Sequence, residues 1–260
     1  YKRQLMSQAG MEGGNALADV ISGKVTPSGK LTDTWAVDYE DYPSSDTFSS
    51  NDGNTDTETY TDDIYVGYRY FDSFGVEPAY EFGFGLSYTT FDTEINYVQA
   101  DEQTVTVNAT ITNTGDTYSG KEVLEVYFSA PGGKVEKPYQ ELAGYAKTDE
   151  LAPGAQQTLT VSFPVTEMSS YDEDQAAYIL ERGMYTIQAG NSSRNTVVGG
   201  VLNVNKTVVT EQLSHQLALP DDVELEPISP NAPATMSAKA ANSADMQIIN
   251  LDASKIETVN

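Results

Sequence analysis

The sequence of 260 residues contains no cysteine and only one histidine, His215. Disulfide bonds and thiol chemistry are therefore excluded, and a single imidazole cannot by itself build a histidine-rich metal site or a nucleophile–base pair. Long apolar runs are missing too, since the chain has no stretch of about 18 apolar residues that would cross a membrane. We predict no metal site and no cofactor, and the sequence leaves the cellular compartment open.

Positive charge is also scarce in this chain. Lys and Arg total 14 against 39 Asp and Glu, which gives a formal net charge of −25 at pH 7. The phosphates of nucleic acids and the surfaces of anionic membranes would be repelled by such a protein. The expected partners are therefore neutral molecules or other proteins, with no nucleic acid and no membrane among them.

The acidic residues are concentrated between Asp33 and Asp63, where ten Asp or Glu residues occur without a single Lys or Arg. Ser, Thr, Asn and Gly separate them, so this stretch cannot form a core and is predicted to be a long exposed loop. A calcium site within Asn51–Glu58 is disfavoured, because the segment lacks the Asp-x-Asp-x-Asp-Gly spacing followed by a Glu. A solvated acidic loop is the simpler interpretation.

The front of the chain predicts one short helix that ends at Gly23, followed by a turn and a short strand near Leu31–Trp35. Four apolar residues of this helix share one face: Ala16, Leu17, Val20 and Ile21. A helix of this length is marginal in water unless that face packs against something. Residues 1–45 are too few to supply the partner surface, so we expect them to be the end of a domain that begins elsewhere.

The middle of the chain has the alternation typical of β-strands. Apolar residues recur at every second position from Val105 to Ile111, and the pattern ends at the turn Asn113–Gly115. The same signature recurs in four later segments: Val123–Phe128, Leu159–Phe163, Tyr185–Ala189 and Val201–Val204. Short strands separated by turns, without a convincing helix between them, predict an antiparallel β-sandwich over 92–205. Beyond it the prolines cluster and the pattern decays, so 206–260 is predicted to be a linker or tail.

The segment from Ile64 to Phe91 is unusually aromatic, with ten Tyr or Phe among its 28 residues. Glycines and one proline interrupt the aromatic residues. Each ring can bury on the order of 150–250 Å², while glycine lets the backbone turn and approach closely. We therefore predict that this segment is a junction packed between larger bodies.

Four separated motifs resemble, in the expected order, the non-barrel part of glycoside hydrolase family 3 β-glucosidases. They are Glu12–Val20 with Val25–Leu31, the aromatic junction itself, Val107–Gly115 with Gly120–Tyr127, and Glu141–Tyr145 with Leu151–Gly154. The first resembles the last helix and strand of the family's α/β sandwich domain. The second resembles the segment that joins this domain to a fibronectin type III-like domain, and the last two resemble strands of that module.

The resemblance and the strand pattern together imply a mainly β protein. Its fibronectin type III-like (immunoglobulin-like) antiparallel β-sandwich would be preceded by the terminal helix and strand of an α/β sandwich domain and by a long acidic loop. The chain would then divide into 1–45, the incomplete C-terminal end of the α/β sandwich domain; 46–91, the acidic loop and aromatic junction; 92–205, the β-sandwich; and 206–260, a linker or tail.

In function, the resemblance implies part of a retaining β-glucosidase whose sugar, a β-linked glucoside or oligosaccharide, binds between a (β/α)8 barrel and the α/β sandwich. Retaining hydrolysis uses two carboxyl groups about 5–5.5 Å apart. In the family the nucleophilic Asp lies on the barrel and the acid/base Glu in an earlier part of the sandwich domain. We therefore assign no catalytic residue here, expect the chain alone to be inactive, and expect a catalytic barrel domain or chain as its partner. The alternative is a non-catalytic carbohydrate-binding or structural β-sandwich module.

Aromatic side chains in and near the acidic loop are candidates for stacking on a sugar. Tyr60 is the candidate substrate-binding residue, because the resemblance places its loop near the mouth of the barrel. Trp35, Tyr39 and Tyr42 offer the same chemistry, although packing at a domain interface is the simpler interpretation for Trp35. For Arg69, which lies among tyrosines in an acidic neighbourhood, a structural ion pair or a stacked guanidinium is favoured over a substrate clamp.

Overall fold

The structure, a computed structural model, describes residues 8–216, 225–230 and 246–259. Its two α-helices both lie in the first third of the chain: α1 Gly13–Ile21 and α2 Tyr68–Phe74. The strands are β1 Phe91–Ala100, β2 Thr104–Asn113, β3 Val123–Ser129, β4 Glu141–Lys147, β5 Gln156–Pro164, β6 Ser170–Asp172, β7 Ala177–Leu180, β8 Gly183–Gly190, β9 Thr196–Val204, β10 Val208–Gln212 and β11 Ile248–Leu251. Within the described ranges, neither helix has the length and apolar character needed to cross a bilayer.

Two sheets face each other and form the sandwich. One has three antiparallel strands in the order β1-β2-β5, and the other has five strands in the order β11-β9-β8-β3-β4. All pairs in the larger sheet are antiparallel except β11 with β9. A small sheet of order β10-β7-β6 lies beside them. This architecture confirms the predicted fold class.

The core fills the space between the two sheets. On β2, the side chains of Val105, Val107, Ala109 and Ile111 are fully buried, while their polar neighbours face outward. Strand β3 is buried along its whole length, because its outer face is covered by the N-terminal part of the chain. The five segments with the strongest alternation all form the expected strands.

The aromatic junction contains a helix that its sequence does not announce. Helix α2 is short and aromatic on several sides, so no amphipathic period marks it. Two glycines set its limits, because Gly67 has φ 57° at the N-terminus and Gly75 has φ 70° at the C-terminus. Such left-handed conformations favour glycine over other residues.

The predicted strand near Leu31–Trp35 is reduced to isolated backbone contacts with the aromatic junction. The Leu31 N–H donates to the Phe84 carbonyl at 2.8 Å, and the Trp35 N–H donates to the Tyr80 carbonyl at 2.8 Å. These contacts hold the front of the chain against the junction. No regular strand forms at this point of the described chain, because only single residues of the front segment, such as Trp35, pair with the junction.

The range 206–260, predicted to be a linker or tail, differs from that expectation in its described parts. Strand β10 pairs with β7, and β11 adds a parallel strand at the edge of the larger sheet. Leu251, Ala253 and Ile256 are buried in the sandwich core. A few apolar residues suffice to bury this segment, because pairing of β11 with β9 places them directly on the core. Residues 217–224, 231–245 and 260 lie outside the described residues.

Candidate functional site

The aromatic junction is fastened to the sandwich by a charged contact on α2. Arg194, in the turn between β8 and β9, donates from Nε to Asp72 at 2.9 Å and from Nη1 to Glu77 at 2.6 Å, and Nη2 reaches the Val76 carbonyl at 2.8 Å. Asp72 also accepts from Gln140 Nε2 at 2.9 Å. One guanidinium thus joins three points of the junction, a geometry that lysine could not reproduce.

A second contact lies where the front turn meets β3. Lys30 and Glu122 form a largely buried ion pair at 2.8 Å. Glu125, nearby on β3, is only 4% exposed and accepts a hydrogen bond from the Tyr127 hydroxyl at 2.6 Å. Burial raises the pKa of the Glu125 carboxyl above its ordinary value, although the Tyr127 bond and Lys30 act in the opposite direction.

Aromatic rings fill the space between these polar contacts. The ring of Tyr68 lies 5.2 Å from that of Phe82 and 5.9 Å from that of Tyr127. Its hydroxyl accepts a hydrogen bond from the Leu142 N–H at 2.8 Å, and burial raises its pKa. The rings of the junction therefore pack against the sandwich, while packing between two larger bodies stays a prediction.

The acidic loop is held near the sandwich by contacts at its end and just beyond it. Tyr65, which is 1% exposed, donates to Glu136 at 2.6 Å, and Ser229 donates to the same carboxylate oxygen at 2.7 Å. The Ile228 N–H donates to the Thr61 carbonyl at 2.9 Å. The described segment 225–230 therefore lies across the end of the loop and contacts both the loop and the sandwich.

Within the loop, the acidic and amide side chains serve the backbone. Asp52 accepts from the Asn54 N–H at 2.9 Å, and Asn54 in turn accepts from the N–H groups of Asp56 and Thr57. These are the local turn contacts expected of Asx residues. No group of three or more potential metal ligands occurs in the described parts of the chain.

The candidate sugar-stacking residues do not form one platform. Trp35 packs edge-on against Tyr80 at 6.4 Å, and Tyr42 packs edge-on against Phe71 at 5.9 Å. Tyr39 contacts Tyr42 and accepts a hydrogen bond from Asn51 at 3.1 Å. These contacts fit the interpretation of interface packing.

Tyr60 is different, because its side chain is 80% exposed and joins no aromatic pair among the described residues. It lies immediately before Thr61, the residue that segment 225–230 contacts. An exposed ring on an anchored backbone is available to a ligand or to another domain.

Arg69 makes the structural contacts that its surroundings favour. Its guanidinium lies 3.3 Å from the Glu141 carboxylate and 5.9 Å from the centre of the Tyr68 ring. Two acidic residues of the first helix region also have local partners, since Glu12 accepts from Asn15 at 2.6 Å and Asp19 pairs with Lys24 at 3.0 Å.

The polar contacts around α2 border an open surface pocket of about 340 Å³ that the sequence does not reveal. It is lined by Asp72, Tyr139, Gln140, Ser193 and Arg194. These residues come from three separate parts of the chain, and the Arg194–Asp72 pair spans 122 positions. The sequence around Arg194 gives no signal for this contact, because no acidic residue lies beside it in the chain.

The fold and these contacts define a class of protein: a fibronectin type III-like sandwich with an aromatic N-terminal segment packed against it. A family model described as glycosyl hydrolase family 3 C-terminal domain matches residues 5–88, and one described as fibronectin type III-like domain matches residues 122–193. The chain therefore resembles the non-barrel region of glycoside hydrolase family 3 β-glucosidases. The described residues contain no (β/α)8 barrel.

Known relatives agree with this assignment. Beta-glucosidase A of Butyrivibrio fibrisolvens is 42% identical over 233 residues, which cover 81% of this chain and 28% of the relative. A beta-glucosidase of Ruminococcus albus is 37% identical over 251 residues, 94% of this chain and 25% of the relative. The solved structure of beta-glucosidase 3B from Thermotoga neapolitana in complex with glucose gives a TM-score of 0.72 at 44% identity, covering 78% of this chain and 28% of that one. The chain thus spans about a quarter of the relatives it matches.

Proposed function

We propose that this chain is the part of a β-glucosidase that supports the catalytic barrel and contributes a loop to the wall of the sugar site. The complete enzyme would hydrolyse β-linked glucosides, with nucleophile and acid/base supplied by regions outside the chain. Both curated relatives named above are β-glucosidases, and the Thermotoga protein was solved with glucose. The chain by itself would be inactive.

The observation that carries this proposal is the apolar surface of the first 90 residues. Met11, Ile21, Val37, Phe48 and Val66 are all more than half exposed, at 101%, 68%, 62%, 59% and 60%. We take these side chains together as a surface that docks on protein, because large exposed apolar patches mark interaction sites. Within α1, only Gly13 is buried, so the helix still lacks the partner that its apolar face requires.

Tyr60 is the residue that we place at the sugar. Its ring is open to solvent while the backbone beside it is held through Thr61 and Tyr65. An anchored loop with one projecting ring can stack on the C–H face of a pyranose without losing much chain entropy. The acidic side chains around it would not repel an uncharged glucoside.

A chimera tests the proposal. In Beta-glucosidase A of Butyrivibrio fibrisolvens, the matching quarter is replaced by this chain, and hydrolysis of p-nitrophenyl β-glucoside is measured for the chimera and for the chain alone. We expect turnover only in the chimera. Turnover by the purified chain alone, or a folded chimera without activity, would contradict the proposal.

The role of Tyr60 is tested in the same chimera. Tyr60→Ala should raise KM for the glucoside several-fold, whereas Tyr60→Phe keeps the ring and should stay close to the parent chimera. Tyr145→Ala, which removes a 70% exposed ring on β4, is the matched control and should leave KM unchanged. Equal kinetics for the chimera and its Tyr60→Ala variant would remove Tyr60 from the site.

A further inference from the structure

The outer face of the three-stranded sheet is a continuous array of hydroxyl and amide groups. Cross-strand hydrogen bonds connect side chains of β2 and β5 at 2.9 to 3.1 Å: Thr106 with Ser162, Asn108 with Thr160, and Thr110 with Thr158. Asn96 on β1 extends the array by donating to Asn108 and Thr110 at 2.8 and 2.9 Å. Each hydroxyl has one donor and two acceptor positions, so these bonds leave capacity for a ligand.

This array is uncharged in a chain whose net charge is −25. The register aligns Tyr97, Asn108 and Thr160 in one row, and Gln99, Thr106 and Ser162 in the next. Neither row contains a charged side chain; Asp92 and Glu94 lie on the earlier half of β1, and one carboxylate, Asp101, lies just beyond its end. A cationic partner finds no counter-charge in these rows, while an anionic one is repelled by the molecule as a whole.

A β-bulge adds an aromatic ring to this face. The register of β1 against β2 shifts between Ile95 and Tyr97, so Tyr97 lies opposite the outward-facing Asn108 and the next residue, Val98, returns to the core. Without the extra residue, alternation would have pointed position 97 inward. The bulge therefore leaves the Tyr97 side chain 43% exposed beside the amides and hydroxyls.

The ring borders a groove in the same face. A groove of about 460 Å³ runs past Tyr97, Gln99, Thr104 and Thr106 towards Gln247 near β11, with Asp101 as its one acidic lining residue. An aromatic ring next to a row of neutral hydrogen-bonding groups is the combination that sugar rings require, because pyranoses present C–H faces to aromatic rings and hydroxyls to polar groups.

We propose that this surface, the ladder face, made of Asn96, Tyr97, Gln99, Thr106, Asn108 and Thr160, binds a neutral polysaccharide chain. The glycan lies along the groove, with one sugar ring stacked on Tyr97 and its hydroxyls bonded to the Thr and Asn side chains. The site is built entirely on the sandwich and needs neither the acidic loop nor a catalytic barrel. It would hold the protein on a polymeric neutral glycan.

Affinity electrophoresis of the full chain tests the ladder face with two polymers that share one backbone. Native gels contain either hydroxyethyl cellulose, which is neutral, or carboxymethyl cellulose, which is anionic. We expect retardation in the neutral gel and none in the anionic one. No retardation in the neutral gel, or equal retardation in both, would overturn the proposal.

Variants then locate the bound polymer. Tyr97→Ala should weaken binding at least tenfold, and Thr160→Val, which keeps the side-chain shape and removes the hydroxyl, should weaken it about threefold. Tyr145→Ala removes an exposed ring from the other sheet and should have no effect. Tyr60→Ala should have none either; if it abolishes binding while Tyr97→Ala and Thr160→Val do not, the polymer sits at the acidic loop and the ladder face is refuted.

Discussion

Two buried glutamates at the start of β3 have different partners, although they are only three residues apart. Glu122 is paired with Lys30, whereas Glu125 faces the Tyr127 hydroxyl, with Lys30, Glu122 and Glu81 acting on it electrostatically. Its carboxyl is withdrawn from water without a cation of its own, so the neutral form is favoured. A buried carboxyl of this kind ties the stability of the junction to pH.

Glu125→Gln should therefore change how stability depends on pH. Because the folded-state pKa is raised above the ordinary 4.5, the folded protein holds the proton to higher pH than the unfolded chain does. The protonated Glu125 carboxyl therefore stabilises the folded state fully below the unfolded-state pKa. This stabilisation is lost as pH rises through the folded-state pKa. Urea unfolding at pH 5 and pH 8 should show Glu125→Gln gaining stability over the parent at the higher pH.

A second variant checks the cause of this effect. The Tyr127 hydrogen bond lowers the Glu125 pKa, so Tyr127→Phe should raise it further and make the pH dependence steeper than in the parent. A pH dependence identical in all three proteins would show that Glu125 does not titrate differently in the folded and unfolded states.

At the scale of elements, Gly83 lets the junction approach β3. It has φ 82°, and a Cβ there would lie 2.5 Å from a Glu125 carboxylate oxygen and 2.7 Å from the Ser192 Cα. Gly53 has nearly the same φ, 85°, but open space around it. Comparing the two glycines therefore distinguishes the cost of a left-handed backbone from the cost of a steric clash at the added Cβ.

Alanine at these two glycines should give different losses. Gly53→Ala should cost about 1–2 kcal/mol from the left-handed backbone alone. Gly83→Ala should lose about 1–3 kcal/mol more, because the backbone of Ser192 cannot yield without moving the junction. Urea midpoints measure both, and equal losses would mean that Gly83 lies farther than 2.7 Å from the backbone of Ser192.

Regular strands could be predicted from the sequence because their alternation is unbroken, as in β2. Strand β1 could not, since its bulge separates the inward residues Ile95 and Val98 by three positions and breaks the period of two. Helix α2 lacks any amphipathic stripe. The contacts of the candidate site are equally hidden, because Arg194 and Asp72 meet only through the fold. The ring contact of Arg69 follows from its neighbour Tyr68, but its ion-pair partner Glu141 lies on β4 and is also brought there by the fold.

Strand β11 is part of the sandwich, and its contribution to stability can be measured with two variants. Leu251 is 2% exposed in the core, while Ile248 on the same strand is 48% exposed. Leu251→Ala should destabilise the sandwich by about 2–5 kcal/mol through the cavity it leaves. Ile248→Ala should cost below about 1 kcal/mol, since little apolar area is lost there. If Leu251→Ala were as mild as Ile248→Ala in urea unfolding, the range 246–259 would be an appended tail after all.

At the scale of the whole molecule, 39 acidic side chains face 14 basic ones, and compaction brings the excess negative charge together. Self-repulsion of this kind opposes the folded state and extends over about 30 Å at 10 mM salt but only about 8 Å at 150 mM. Salt also weakens the attraction within exposed ion pairs such as Lys24–Asp19, which lowers stability, but each such pair contributes only about 0–1 kcal/mol. The buried Lys30–Glu122 pair is screened far less.

Repulsion should therefore outweigh the loss of surface pairs, and the Tm should rise by several degrees between about 10 and 150 mM NaCl. Glycerol at matched osmolality is the control, because it changes the activity of water without screening charge. A Tm that rises equally with glycerol would remove electrostatics as the cause. A Tm that falls with NaCl would mean that attractive pairs dominate the charge balance, because salt would then be weakening more stabilising contacts than repulsive ones.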